Sequence, residues 1–280
     1  MKVVLWGTRG SLPAAGHSTA RYGGNTSSVQ VIADDGTMLA LDAGSGIRPL
    51  GGKMLSGKRV DLLLTHLHMD HVQGLGFFAP MYVPGLEVHI WGPSSTTHGL
   101  ADRLRRYLSP PLFPVRLRDL PCKLHIHELL RDPVQIGPFN IRTDVVCHPG
   151  ATLGYRIEAD GKVLTYLPDH EPALGVGGSM LKRGWTSGHL LAQGSDLLIH
   201  DAQYDDLEYP SRIGWGHSTI RHALEFATLC DARRLVTFHH DPSHDDDRLD
   251  TMMAHLNSLG PKMPVIGGSE GHEYDLNTLP

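Results

Sequence analysis

Cysteine is scarce in this chain of 280 residues: three are present, Cys122, Cys147 and Cys230, far apart and with no C-x-x-C pair. That excludes a disulfide-stapled scaffold and reads as the reduced thiols of a cytoplasmic protein. Positive charge is also short. With 25 basic against 30 acidic residues the formal charge is −5, so no whole-protein positive field exists to hold long nucleic acid, although a local basic patch stays open. No apolar run reaches membrane-spanning length, and Met1-Lys2 leads into a strand-like run without a signal peptide. Low-complexity tracts and strong repeats are absent too. What is left, 40% apolar residues over 280 positions, fits one large α/β domain with a generous core.

Histidine is what the chain has in excess, nineteen residues that are dispersed rather than gathered in a tag. Four metal-binding side chains fall in Thr65-His66-Leu67-His68-Met69-Asp70-His71, just after the largely apolar run Val60 to Leu64. Alternate residues of an extended segment share a side, so His66 and His68 project together, and Asp70 and His71 turn inward as a helix starts. Neutral imidazoles and a carboxylate suit a borderline-soft dication such as zinc and leave a coordination position open for water. A solvated loop explains one His-x-His pair; it explains poorly a full H-x-H-x-D-H at the end of a buried strand.

This stretch resembles the signature of the metallo-β-lactamase-fold hydrolases, and the likeness, which covers most of the chain, points to the phosphodiesterase branch that includes ribonuclease Z. Near the amino end, Gly7-Thr8-Arg9-Gly10-Ser11 and Gly23-Gly24-Asn25-Thr26-Ser27-Ser28 pair as in ribonuclease Z-like and phosphonate-pathway phosphodiesterases, where the second loop supports the metal site. The resemblance implies an α/β fold, an αββα four-layer sandwich of two mixed β-sheets flanked by helices. It implies a single domain over residues 1–280, with an excursion at 94–122 that can act as a lid. Residue by residue, it makes Asp42 the strand-end acid that orients a ligand, His148 of His148-Pro149-Gly150 the next ligand, and Asp169 the carboxylate shared by two ions. One of His239 and His240 completes the set, and spacing from the preceding strand favours His239. His66, His68 and His148 then hold one ion and Asp70, His71 and His239 the other, while His170 and Glu171 stand outside.

His200-Asp201-Ala202-Gln203 is similar to the His-Glu-Ala-Thr segment of ribonuclease Z with two departures, and Gly216-His217-Ser218-Thr219 matches its His-Ser-Thr segment. By resemblance His200 and His217 are candidates for phosphate contact and proton delivery, and Asp70 joins them as catalytic. The implied protein is a hydrolase with two divalent metal ions, zinc first and manganese or iron as alternatives. It would cleave a phosphodiester with a water activated between the ions. The acidic balance favours a small partner, a cyclic nucleotide or short oligonucleotide, over long nucleic acid or a membrane; a homodimer is implied by resemblance alone. A thioester or lactone hydrolase is the alternative on the same metals, and a non-catalytic metal-binding assembly subunit is the alternative of another class. Arg103, Arg105, Arg106, Arg116 and Arg118 read either as a solvated helix face or as planar forks for a substrate phosphate. The run Asp245-Asp246-Asp247 reads as the start of a closing helix, and Gly175-Val176-Gly177-Gly178 as a mobile connection.

Overall fold

Runs such as Leu62–Leu64 and Leu197–Ile199 are apolar at every position because each of these strands is covered on both faces. In the computed structural model Leu63 enters one core while Leu62 and Leu64 enter another, and Leu197 and Ile199 part from Leu198 in the same way. Residues 1–131, 133–172, 174 and 183–278 are described; the glycine run at 175–178 lies outside them.

The first sheet contains β1 (Lys2–Gly7), β2 (Ser28–Ile32), β3 (Met38–Leu41), β4 (Arg59–Leu63), β5 (Glu87–Pro93) and β6 (Lys123–Leu129). The second contains β7 (Val134–Ile136), β8 (Phe139–Val145), β9 (Leu153–Ala159), β10 (Lys162–Leu167), β11 (Leu197–Asp201), β12 (Leu235–Phe238) and β13 (Val265–Gly267). A last strand, β14 (Glu273–Asp275), returns to pair antiparallel with β1. The orders are β14-β1-β2-β3-β4-β5-β6 and β13-β12-β11-β10-β9-β8-β7. Both sheets are mixed: β3 to β6 run parallel, as do β10 to β13, and the remaining pairs are antiparallel.

Among the described residues six α-helices accompany them: α1 (Ile47–Gly51), α2 (Met69–Val72), α3 (Leu100–Tyr107), α4 (His189–Ala192), α5 (Ile220–Leu229) and α6 (Asp246–Ser258). The inner faces of the two sheets share a core that includes Leu5, Leu41, Tyr155, Ile199 and Phe238. Ile47, Leu100 and Leu104 cover the outside of the first sheet, and Ala223, Phe226 and Met252 the outside of the second. The architecture is thus the expected four-layer αββα sandwich.

Local differences from the sequence expectation have local causes. The sequence predicts that α2 continues over Val72–Phe78, but it ends at Val72, and two short 3-10 turns follow, Leu75–Phe77 and Ala79–Tyr82. Glycines at 74 and 76 and a proline at 80 lower the helical propensity there. The sequence predicts an amphipathic helix over Thr96–Leu108; the observed one begins at Leu100, after Gly99. Strands β7, β13 and β14 lie beyond the expected set; three residues at a sheet edge are too few to show a period.

The glycine-rich loop after β1 carries a fully buried arginine. Arg9 donates from Nε to the carbonyl of Gly23 (2.8 Å) and from Nη1 to those of Asp241 (3.1 Å) and His244 (2.5 Å). It thereby ties the loops after β1 and β12 together. Arg9→Met leaves three buried carbonyls short of a donor, and unmade buried hydrogen bonds cost about 1–3 kcal/mol each. The expected result is a loss of about 3 kcal/mol or more in urea unfolding; a loss under about 1 kcal/mol would show that water replaces the guanidinium. The acidic run likewise serves the fold: Asp245 caps α6 by accepting from the amide of Arg248, and Asp246 accepts from the amides of Arg21 and Tyr22.

Candidate metal centre

Every segment of the site leaves the same end of the sandwich. The turn after β4 carries His66, His68, Asp70 and His71, that after β8 His148, and that after β10 Asp169, while Asp201 ends β11 and His239 follows β12. His68 is still extended and precedes the single turn of α2, which swings Asp70 and His71 inward.

Two four-residue donor groups result. Ligand atoms of His66, His68, His148 and Asp169 lie within 4.8 Å of one another, as do those of Asp70, His71, Asp169 and His239. Asp169 belongs to both. Its Oδ1 lies 2.9 Å from His71 Nε2 and 3.3 Å from His239 Nε2, and its Oδ2 lies 3.7 Å from Nε2 of both His66 and His148. Within each group the imidazoles also face one another directly, with His148 Nε2 at 3.1 Å from His68 Nδ1 and His71 Nε2 at 3.4 Å from His239 Nε2.

The far nitrogen of most of these rings is held by an acceptor. His71 Nδ1 meets Asp42 Oδ2 (2.8 Å), His148 Nδ1 the carbonyl of Gly216 (2.8 Å), and His239 Nδ1 the Oε1 of Gln203 (2.9 Å). An outward N–H fixes the tautomer that turns a lone pair inward, which is how ligating histidines are oriented. Inside, His66 Nε2 is buried and has no hydrogen-bond partner among the described residues, as a nitrogen reserved for a cation would be. Burial, helped by neighbouring histidines, lowers the pKa of His66, His68 and His148 toward the neutral, ligating form. Burial opposes the ionisation of Asp70 and Asp169, yet the surrounding histidines, His71 and His239 foremost, hold both carboxyls well below the usual range. The residues present fit divalent metal ions.

The supports are equally specific. Asp42 sits at φ 58°, a left-handed conformation that costs energy and needs fixed surroundings. Its buried carboxylate accepts from Thr65 N and Oγ1 and from Tyr166 Oη as well as facing His71. Ser11 N donates to Asp70 Oδ2 at 2.7 Å, so the first glycine loop touches the site directly, while Thr26 of the second braces Ser45 and Gln73. At Gly10 a Cβ would come within 2.3 Å of the His239 ring, and at Gly216 (φ +92°) within 2.2 Å of His148 Nδ1. Both positions admit only glycine.

Beside the cluster, His217 Nδ1 lies 2.7 Å from Asp201 Oδ2. Burial works against its charged form, but Asp201 wins and raises the ring to about 9. Its ring stacks on that of His239 at 4.9 Å and lies 5.1 Å from that of His148.

His200 does not join this constellation. Its ring is fully buried beside Phe226, with Nε2 2.9 Å from His170 Nδ1 and Nδ1 2.7 Å from the carbonyl of Asp201. In a strand, neighbouring side chains point to opposite faces, so Asp201 meets the site and His200 is turned to the helical layer. The expectation of phosphate contact by His200 is therefore corrected. His240 is also turned away, its Nε2 2.8 Å from the carbonyl of Gly268, and burial pushes it down to about 3; His239 is the member of the pair that faces the cluster. Asp201 and Gln203, met in the sequence as departures from a family pattern, hold His217 and His239. A strand-end acid after an apolar run, the same signal that marked Asp42, was available for Asp201. Glu171 stands outside, accepting from Tyr209 Oη and from the amides of Gly214 and Gly216.

The family model of the beta-lactamase superfamily domain matches residues 37–240, from the strand before Asp42 to the histidine pair after β12. The chain belongs to the metallo-β-lactamase superfamily. Among its relatives in this superfamily is a ribonuclease Z of Thermococcus gammatolerans, 28% identical over 246 residues that cover 73% of this chain and 75% of the relative. The fold matches the metallo-β-lactamase-fold protein YhfI of Bacillus subtilis with a TM-score of 0.72, at 19% identity and 98% coverage of both chains. It matches the short form of human tRNase Z with a TM-score of 0.67, at 21% identity and 99% coverage of both. This superfamily member is a metal-dependent hydrolase of the ribonuclease Z-like branch, with a His and Asp cluster that suits divalent metal ions. No described helix is long and apolar enough to cross a membrane.

Proposed function

We propose that this chain is a phosphodiesterase acting at a pair of divalent cations, zinc by preference, with manganese or iron as competitors for the same mixed nitrogen and oxygen donors. The observation that carries the reading is the division of Asp169, one oxygen toward each donor group, with a charged histidine on a buried carboxylate alongside. Cations bound there would supply an acidified water and charge stabilisation for phosphoryl oxygens.

The chain's own residues supply the rest. Asp42, Gly216 and Gln203 hold their imidazoles in fixed orientation, so little reorganisation is needed as charge develops. Asp201 keeps His217 protonated and engages Nδ1, which leaves Nε2–H as the donor to a departing alkoxide. Asp70 is held ionised by His71 and His239 and pinned by the Ser11 amide. The acidic balance of the chain favours a small phosphodiester, and relatives named ribonuclease Z bring RNA into the same test. Three cysteines, none of them in a disulfide, suit the reducing cytoplasm.

The deciding experiment is a panel on metal-analysed protein: bis(4-nitrophenyl) phosphate, cyclic mononucleotides, a short oligoribonucleotide, a thioester and a lactam. Phosphodiester turnover is expected to vanish with excess chelator and return with zinc or manganese. Turnover of the thioester alone would overturn the assignment.

A further inference from the structure

The arginines of the excursion are not spread over one helix face. Arg105 from α3 and Arg116 and Arg118 from the turn around Leu117 line one surface cavity of about 510 Å³, together with Leu108, Ser109 and Leu117. From Leu100 to Asp119 the chain carries five arginines against two aspartates, a local net of +3 in a molecule of formal charge −5. The helix dipole accounts for basic residues in the last turn of α3, Arg105 and Arg106, but it falls off within a turn and does not reach Arg116 or Arg118. Acids offset the cavity's charge only in part. Arg105 pairs with Asp102 and Arg118 loosely with Asp119, each a near neighbour in sequence and exposed, while Arg116 has no carboxylate partner among the described residues. Leu108 and Leu117 are buried and close the floor, and an apolar wall strengthens the field of the charges above it.

Three like charges gathered on one concavity repel one another unless an anion sits between them. Guanidinium forks match the oxygens of phosphate in a planar, bidentate way. We propose that the Arg105, Arg116 and Arg118 cavity is a phosphate-binding site separate from the metal centre. Its ligand is either a free phosphate compound or the backbone phosphates of a nucleic acid strand, and the site does not depend on the hydrolytic reading above.

The test compares the metal-loaded wild type with R105Q/R116Q/R118Q and with the triple lysine variant. Pyrophosphate is titrated calorimetrically, and a fluorescent single-stranded 12-mer is titrated at several salt concentrations. If free phosphate compounds are the source, pyrophosphate binds wild type in two classes, one of which weakens at least tenfold in the glutamine variant and partly recovers with lysine. If strand phosphates are the source, the 12-mer weakens at least tenfold, and the slope of log affinity against log salt falls by about 2, as expected for three lost single-strand contacts. A merely structural role would not move that slope. Identical pyrophosphate classes and an identical 12-mer salt slope in wild type and the glutamine variant would overturn the proposal, and thermal unfolding of each variant shows that it is folded.

Discussion

Asp169→Ala is expected to lose phosphodiester turnover by roughly 10³-fold or more, since a single carboxylate serves both donor groups and residues acting as a unit fail together. The same change should lower bound metal from about two ions to one or fewer per chain. Its physical basis is the placement of the two oxygens, Oδ1 toward His71 and His239 and Oδ2 toward His66 and His148. Removing the group also returns His71 to an environment with one fewer anion, and Asp169 is the leading influence favouring its charged form. Without it His71 shifts toward the neutral, ligating form, so the expected metal loss comes from the missing carboxylate oxygens themselves. Metal content by plasma emission and turnover of bis(4-nitrophenyl) phosphate are measured on one preparation. Full turnover with two ions bound would remove Asp169 from the centre.

His217→Ala should lower the rate by about 10²- to 10⁴-fold for substrates that expel an alkoxide, the range a positioned general acid supplies. For 4-nitrophenyl esters the loss should stay within about tenfold, because that leaving group departs without a proton. The difference between leaving groups separates proton delivery from a general distortion of the site. Asp201→Asn should reproduce the pattern in weaker form, since its contact with His217 Nδ1 would survive as a neutral hydrogen bond while the charge that raises the ring is lost. Equal losses on both substrate types would assign His217 to metal geometry instead.

The order of legibility follows the range over which each signal acts. His66, His68, Asp70 and His71 sit within six positions, and local alternation alone places them on one side of a strand end. The apolar runs of β4, β11 and β12 announce strands buried on both faces. Resemblance extended this to His148, Asp169 and Asp42, which no local spacing connects to the motif. His200 shows where likeness of a segment misleads: it matched by letter, yet strand alternation turned it to the helical layer, and its neighbour Asp201 took the site-facing position.

By itself the chain determined its α/β class, its dense metal-binding turn and the absence of an overall positive field, because periodicity, residue chemistry and net charge are properties of short stretches or of sums; the four-layer sandwich came from the family resemblance. Only the tertiary structure decided that His239 and not His240 faces the cluster, that Asp201 and Gln203 orient their histidines, that Arg9 is buried as a clamp, and that three arginines share one cavity. Each of those depends on which face a side chain takes and on which distant turn it meets. Such pairings are settled by the packing of two sheets against each other, not by neighbours along the chain.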